Sequence, residues 1–358
     1  MDALRSIDYN SIASRMLAKN VVFGSVFAVE NRDGSFRSIA AAGELDADRP
    51  YFVASVTKLY VSALVLILMN EGKLGLDDPL VHHLGEARLR GLHVLRGVDY
   101  TARVTLRHLL SNQSGLRDYF YYEDGGDNAV TALNERDEAW PLDRVIDRVK
   151  GLKPLYEPGR KGKVNYSDTN FRLLGGVIEA VTGMPVGDAF RERLFKPLGL
   201  ERTFAYDGRE DGEVAKFYYG RTPIHAPRYM ASVTADGGIV STAAESMAFL
   251  KAFFGGFFFP AADLAILKSN YRMIMFPGQF YFGTGIEKLW VPRILSLRRP
   301  ARNLVGFWGQ TGAFAFCHED TGLFFTGTVN QANGFGHGKA LKAMLSVIKG
   351  ATGAGARP

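Results

Sequence analysis

A serine and a lysine three residues apart, in Ser55-Val56-Thr57-Lys58, are the residues of this chain best placed to do chemistry. On one turn of a helix the two side chains share a face and can touch. A serine hydroxyl is a poor nucleophile until a neighbouring base takes its proton, and Lys58 is the candidate base. Burial and the positive end of the helix macrodipole both disfavour an ammonium, so a neutral lysine is expected there. The spacing alone does not decide, because Ser346-Val347-Ile348-Lys349 repeats it near the carboxyl end, where an exposed pair is expected. The element carrying Ser55 separates the two. Leu59, Val61, Leu64, Val65, Leu66, Ile67 and Leu68 make the run apolar on nearly every face before Asn70, Glu71 and Gly72 stop it. A helix of that composition lies in a core, which puts Ser55 at a buried helix start.

Two later segments add polar groups. Tyr166-Ser167-Asp168 follows Glu157-Pro158-Gly159 and precedes Asn170 and the apolar Leu173, Leu174, Val177 and Ile178. Trp308-Gly309-Gln310-Thr311-Gly312-Ala313 leads into the strand-like Phe314-Ala315-Phe316-Cys317. In this order the three elements resemble the serine β-lactamase and penicillin-binding-protein superfamily, where S-x-x-K is followed by a Tyr or Ser motif and then a K-T-G or H-x-G strand. The class C β-lactamase branch, which also holds DD-peptidases, D-amino-acid amidases, D-aminopeptidases and carboxylesterases, is the most similar. His108-Leu109-Leu110-Ser111-Asn112-Gln113-Ser114-Gly115-Leu116 resembles the family's H-L-L-T-H-T-S-G-L, and Gly237-Gly238-Ile239-Val240-Ser241-Thr242 its G-G-L-x-S-T. Both are expected to be structural, with glycines serving turns and hydroxyls capping helices. The resemblance runs from about Val21 to Gln331.

The resemblance implies acyl transfer in two steps. Ser55 would attack an ester or amide carbonyl, with Lys58 and Tyr166 sharing proton removal and return. The backbone N–H groups of Ser55 and Ala313 would form the oxyanion hole, and water would release the acyl group. Asp168, Gln310, Thr311 and Gly312 are the implied substrate-binding positions. Two of them depart from the family pattern. Asp168 stands where relatives usually carry asparagine, and a carboxylate there would pair with Lys58, hold it charged and shift the base role toward Tyr166. Gln310 stands where relatives often place a lysine or histidine, so a cation for a substrate carboxylate is missing. Ester hydrolysis is therefore the leading expectation, followed by amide hydrolysis of D-amino-acid derivatives and then β-lactam hydrolysis. The alternative of a different class is a catalytically silent binding protein on the same fold.

Composition narrows the rest. With 358 residues, 47% hydrophobic and 22% charged, the chain has room for two subdomains and a sizeable core. Its single cysteine, Cys317, excludes an intramolecular disulfide framework, fits a reducing compartment and reads as a small buried hydrophobe on a strand. Met1 to Asn20 carries Asp2, Asp8 and Arg15 and lacks the unbroken apolar run of a secretory signal, so a cytoplasmic location is expected. The stretch from Phe249 to Leu267 is broken by Lys251, Gly255, Gly256, Pro260 and Asp263, which argues for core packing over a membrane span.

The net charge of +6 invites a nucleic-acid reading. Basic residues are dispersed, however, apart from Arg298-Arg299-Pro300-Ala301-Arg302 and Arg160-Lys161-Gly162-Lys163, and both read as solvated loops with no nucleic-acid module beside them. The seven histidines show no ligand spacing, and His82-His83, taken as a loop, cannot aim both rings at one metal. No metal or cofactor is expected. Gly334-Phe335-Gly336-His337-Gly338-Lys339 lacks the Walker spacing and starts the last helix, and no G-x-S-x-G points to an α/β-hydrolase. A small-molecule ester or amide is the one partner expected, and nothing in the sequence points to an oligomeric state.

The elements that must position these residues begin with a helix from Asp2 to Leu17. Strands follow at Val21 to Glu30 and Phe36 to Ala42, joined by the turn Asn31-Arg32-Asp33-Gly34. Strands return after Phe307, at Phe314 to Cys317 and Leu323 to Val329, before a closing helix from Lys339 to Ile348. Strands at both ends with helices between imply an α/β (α+β) fold: an antiparallel sheet built from both termini, flanked by helices, with a mostly helical insertion. The expected division is 1–70 with 225–358 as the sheet domain and 71–224 as the helical domain, with the active site between them. The family resemblance implies the same β-lactamase/transpeptidase-like fold.

Overall fold

Strands covered on both faces are buried at every position, and two neighbours in the main sheet of this protein, Phe314–His318 and Leu323–Thr328, are of this kind. The computed structural model describes residues 2–120, 132–209, 212–275, 280–292 and 301–353. Eight strands form one sheet: β1 (Gly24–Asn31), β2 (Arg37–Gly43), β3 (Arg272–Met275), β4 (Phe280–Phe282), β5 (Glu287–Val291), β6 (Ala301–Trp308), β7 (Phe314–His318) and β8 (Leu323–Thr328). Their spatial order is β3-β4-β5-β6-β7-β8-β1-β2, every pair antiparallel. Val26 lies opposite both Thr328 and Ala41, so β1 joins the two ends of the chain. Along β1, Val26 and Ala28 enter one core while Phe27 and Val29 enter the other. Ala315 with Cys317, and Phe314 with Phe316, divide in the same way along β7.

The second core is closed by helices Asp2–Arg5, Tyr9–Met16 and Phe335–Gly353 through Leu4, Ile12, Met16, Met344 and Val347. The larger core takes in helices Thr57–Asn70, Asp168–Thr182 and Ala243–Gly255. Within it Tyr60 stacks on Phe249 at 3.5 Å between ring centroids. Tyr51–Phe52 pairs with Ile239–Ser241, which also pairs with Phe204–Ala205. That small sheet lays the residues before Ser55 beside the Gly237-Gly238 segment.

The fold corrects several expectations. The first helix is two, Asp2–Arg5 and Tyr9–Met16, and Asp8 caps the second by accepting the Ser11 N–H at 2.9 Å. Strands begin well before Phe307: β3 to β5 are short, and register shifts interrupt the pairings of β3 with β4 and of β5 with β6, so they give no sustained alternation to read. His82 and His83 lie on the short helix Leu80–Leu84, with His83 Nε2 3.1 Å from Asp78. The closing helix starts at Phe335 and continues to Gly353. The Asn31 to Gly34 turn forms as expected, Asn31 taking the Gly34 N–H on its carbonyl and the Phe36 N–H on its side chain. No single helix among the described residues is long and apolar enough to cross a membrane.

Candidate active site

From Tyr51 to Leu66 every residue is buried except Ser55, so the one opening in this run exposes the serine. Ala54–Val56 form a 3-10 turn that feeds the helix Thr57–Asn70. Ala54 adopts φ +47°, a left-handed conformation that costs a non-glycine residue on the order of 1–2 kcal/mol. The surroundings hold this turn from both sides. Val53 N–H donates to Ile239 O at 2.9 Å, and Thr311 Oγ1 donates to Phe52 O at 2.6 Å. Gly309 lies so close that a Cβ there would stand 2.2 Å from Val53 O and 3.1 Å from Ala313 Cβ, which is why a glycine precedes Gln310.

Lys58 and Tyr166 converge on the serine. Lys58 Nζ and Tyr166 Oη each lie 2.9 Å from Ser55 Oγ. The Lys58 side chain is fully buried, and its amine also meets Asp168 Oδ1 at 2.6 Å and donates to Asp236 O at 2.7 Å. Three acceptors around one amine match the three hydrogens of an ammonium. The ion pair with Asp168 is the arrangement expected from the carboxylate that replaces asparagine. Tyr166 is held by Phe282 and Phe307, whose rings lie 6.0 and 6.4 Å from its own.

The segment around Asn112 builds the seat of Tyr166. Asn112, at φ +55°, accepts the Ser167 N–H at 3.1 Å and the Asn170 amide at 2.6 Å on its side-chain oxygen. Its carbonyl accepts the Asn165 N–H at 2.9 Å, and Ser114 Oγ donates to Asn170 Oδ1 at 2.6 Å. Asp118 accepts the Asp168 N–H at 2.6 Å. Sequence reasoning assigned this segment a structural role without its target, which is the backbone carrying Tyr166 and Asp168. Asp236 and Asp118 were missed altogether; an acidic residue directly before Gly237-Gly238 was the available signal for the first.

The third element closes the site. Gly312, at φ +91°, donates its N–H to Gly309 O at 2.9 Å, and a Cβ on it would press Val329 Cγ2 at 2.9 Å. Ala313 follows, buried, immediately before β7. Buried Glu287 and partly buried His337 anchor the same element from behind. Glu287 accepts the Trp308 N–H at 3.0 Å, and His337 Nε2 donates to Gly309 O at 2.8 Å. Burial pushes the Glu287 carboxyl up to about 8 and the His337 imidazole down. Gln310 is exposed at the rim, its amide nitrogen bonded to Ala332 O. Thr311 is buried with its hydroxyl proton on Phe52 O, so it acts as a strut between the third element and the serine turn.

The other candidates separate from this cluster. Ser346 and Lys349 are exposed on the terminal helix, with Ser346 Oγ donating to Ala343 O. Cys317 is fully buried on β7, where burial pushes its thiol up to about 12. Arg160, Lys161 and Lys163 are exposed, while Arg298 to Pro300 lie outside the described residues. No group of three or more potential metal ligands occurs among the described residues.

Comparison with known proteins gives the same outline. A family model described as Beta-lactamase matches residues 13–347. Penicillin-binding protein 4* of Bacillus subtilis (strain 168) is 28% identical over 218 residues, 58% of this chain and 44% of that protein. Esterase EstB of Burkholderia gladioli is 29% identical over 217 residues, 54% of this chain and 52% of that one. The match thus spans about half the length of these curated relatives. The structure of a D-stereospecific amidohydrolase from Streptomyces sp. superimposes with a TM-score of 0.74 at 26% identity, covering 95% of this chain and 97% of that one.

Proposed function

This chain belongs to the beta-lactamase family, and we propose that it is a serine hydrolase that cleaves carboxylic esters through an acyl-enzyme on Ser55. The observation that carries the reading is the meeting of Lys58 Nζ and Tyr166 Oη on Ser55 Oγ, each at 2.9 Å, at the one partly exposed position of a buried run. Ser55 attacks the carbonyl carbon while its proton passes to the Tyr166 and Lys58 pair, which returns it to the leaving oxygen. Backbone N–H groups of Ser55 and Ala313 receive the developing oxyanion, where losing one donor costs about 3 kcal/mol of transition-state stabilisation. Water then attacks the acyl carbon with the same pair as base. The reaction calls for no metal or cofactor.

Ester preference draws on two features. Gln310 supplies hydrogen bonds without charge at the rim, which suits a neutral substrate better than a carboxylate. The ammonium of Lys58 is held by three acceptors, and an alkoxide departs with less proton donation than an amine does. Amide hydrolysis of D-amino-acid derivatives is the second reading, favoured by the likeness to the D-stereospecific amidohydrolase over 95% of this chain. The cytoplasm is the proposed location, in keeping with the single, buried Cys317. Profiling the purified protein against short-chain p-nitrophenyl esters, D-amino-acid amides and a chromogenic cephalosporin tests the assignment. Neutral esters should give the highest kcat/KM. Cephalosporin hydrolysis matching the best ester would replace the esterase reading with a lactamase, and no turnover of any of the three would favour a silent relative.

A further inference from the structure

Behind Lys58 lies a second buried pair of opposite charges that the proposed chemistry does not use. Asp236 and Arg172 are 5% and 7% exposed, and Arg172 Nη1 stands 3.6 Å from Asp236 Oδ1. Tyr119 Oη donates to Asp236 Oδ2 at 2.8 Å. The Arg172 guanidinium also donates to Ser232 O and Trp140 O. Asp168 and Arg172 are one turn apart on the helix Asp168–Thr182, so the two ion pairs adjoin and four charges alternate in sign. The backbone joins them too. The N–H groups of Asp236, Gly237 and Gly238 all reach Val233 O, at 3.2, 2.9 and 2.8 Å, in a tight turn whose Asp236 carbonyl receives the Lys58 amine. A Cβ on Gly238 would lie 2.8 Å from Met230 O, so the turn requires its glycine.

We propose that Asp236 and Arg172 are positioning residues for Lys58: they anchor the turn whose carbonyl holds the amine, and their charges balance those of Lys58 and Asp168. A buried ion pair contributes little net stability, because desolvation offsets the attraction, so packing alone gives no reason for this one. Its effect falls on its neighbours. The charged and titratable groups acting on Asp236 are Arg172, Asp168, Lys58, Tyr119 and Tyr229. Burial pushes the Asp236 carboxyl above the usual carboxylate range, and Arg172 is the main opposing influence. Removing either charge therefore changes the field at Lys58 and, one hydrogen bond further, at Tyr166 and Ser55.

The inference rests on the hydrolase reading of Ser55, and its test uses the purified full chain with p-nitrophenyl acetate between pH 5 and 10. Asp236→Asn removes an anion and lowers the proton affinity of every group around it. Both limbs of the kcat profile should move to lower pH by about half to one unit, with kcat down about tenfold and KM changed less than about twofold. Arg172→Gln removes a cation and should move the limbs to higher pH. The double variant, which deletes the pair, should return the limbs close to those of the unaltered enzyme while kcat stays low, because the turn has lost both anchors. Thermal melts establish which variants fold, and if Asp236→Asn does not, Arg172→Gln and the double variant carry the test. Folded single variants that lose activity without displaced limbs, or whose limbs move the same way, would overturn the positioning role. Absence of turnover in the unaltered protein would instead refute the hydrolase reading, and this proposal with it.

Discussion

Asp168 changes what Lys58 can do. An amine bonded to a carboxylate at 2.6 Å, a carbonyl at 2.7 Å and the serine oxygen at 2.9 Å is arranged as a donor, so in the proposed reaction the base role shifts toward Tyr166. Lys58 and Tyr166 both meet Ser55 Oγ, so each acts on its proton through the same oxygen. Two groups coupled in this way lose their contributions together. Lys58→Ala and Tyr166→Phe should each lower kcat by about 10²–10⁴-fold, and the double variant should fall scarcely further. Strictly multiplicative losses would show that the two act independently. Gln310 gives a second residue-scale test. Gln310→Lys should narrow the gap between neutral esters and substrates with a free carboxylate by about tenfold or more, since a charge-assisted hydrogen bond contributes about 1.5–3 kcal/mol. An unchanged ratio would remove Gln310 from substrate recognition. Ser55, Lys58 and Tyr166 were legible in the sequence because their chemistry resides in side chains of restricted type. Asp236 was not, because what it offers Lys58 is a main-chain carbonyl that any residue carries.

At the scale of elements, the sequence showed one half of the sheet, β7-β8-β1-β2, and hid the other, β3 to β6. β1, β2, β7 and β8 are five to eight residues long and bounded by clear turns. β3, β4 and β5 are three to five residues long, and the backbone after β4 passes through Gly283 and Gly285. Glu287, at the start of β5, contradicts any reading of that strand as a fully buried run, yet it is buried and bonded to the Trp308 N–H. Its carboxyl is raised to about 8, above its ordinary value near 4.5. The folded protein therefore holds an extra proton between those values. The stability from this group is fully present below about pH 4.5 and is lost as pH rises through about 8. Glu287→Gln keeps the acceptor for Trp308 without the ionisation. It should leave stability near pH 4.5 unchanged and raise it at pH 8.5 by on the order of 1–3 kcal/mol, read by denaturant unfolding at the two pH values. Equal stability of the two proteins at pH 8.5 would show that Glu287 ionises freely in the fold.

On the scale of the whole molecule, the two ends of the chain are brought together by β1 between β8 and β2, and their helices cover one face of that sheet. The other face supports the apolar helix that begins at Thr57, with Ser55 in the turn before it. The strands at both ends of the chain were enough to foresee an antiparallel sheet built from both termini, but not which face the terminal helices cover and which supports the apolar helix, because a sheet offers two faces. The central claim is that the whole fold presents one nucleophile. Its most direct test is to trap the protein with a fluorophosphonate probe, and separately with an acid-quenched p-nitrophenyl ester, and to locate the adduct by peptide mass spectrometry. The account requires one equivalent on Ser55, none in Ser55→Ala, and full labelling in Ser346→Ala. An adduct on any other serine, or labelling that survives Ser55→Ala, would contradict it.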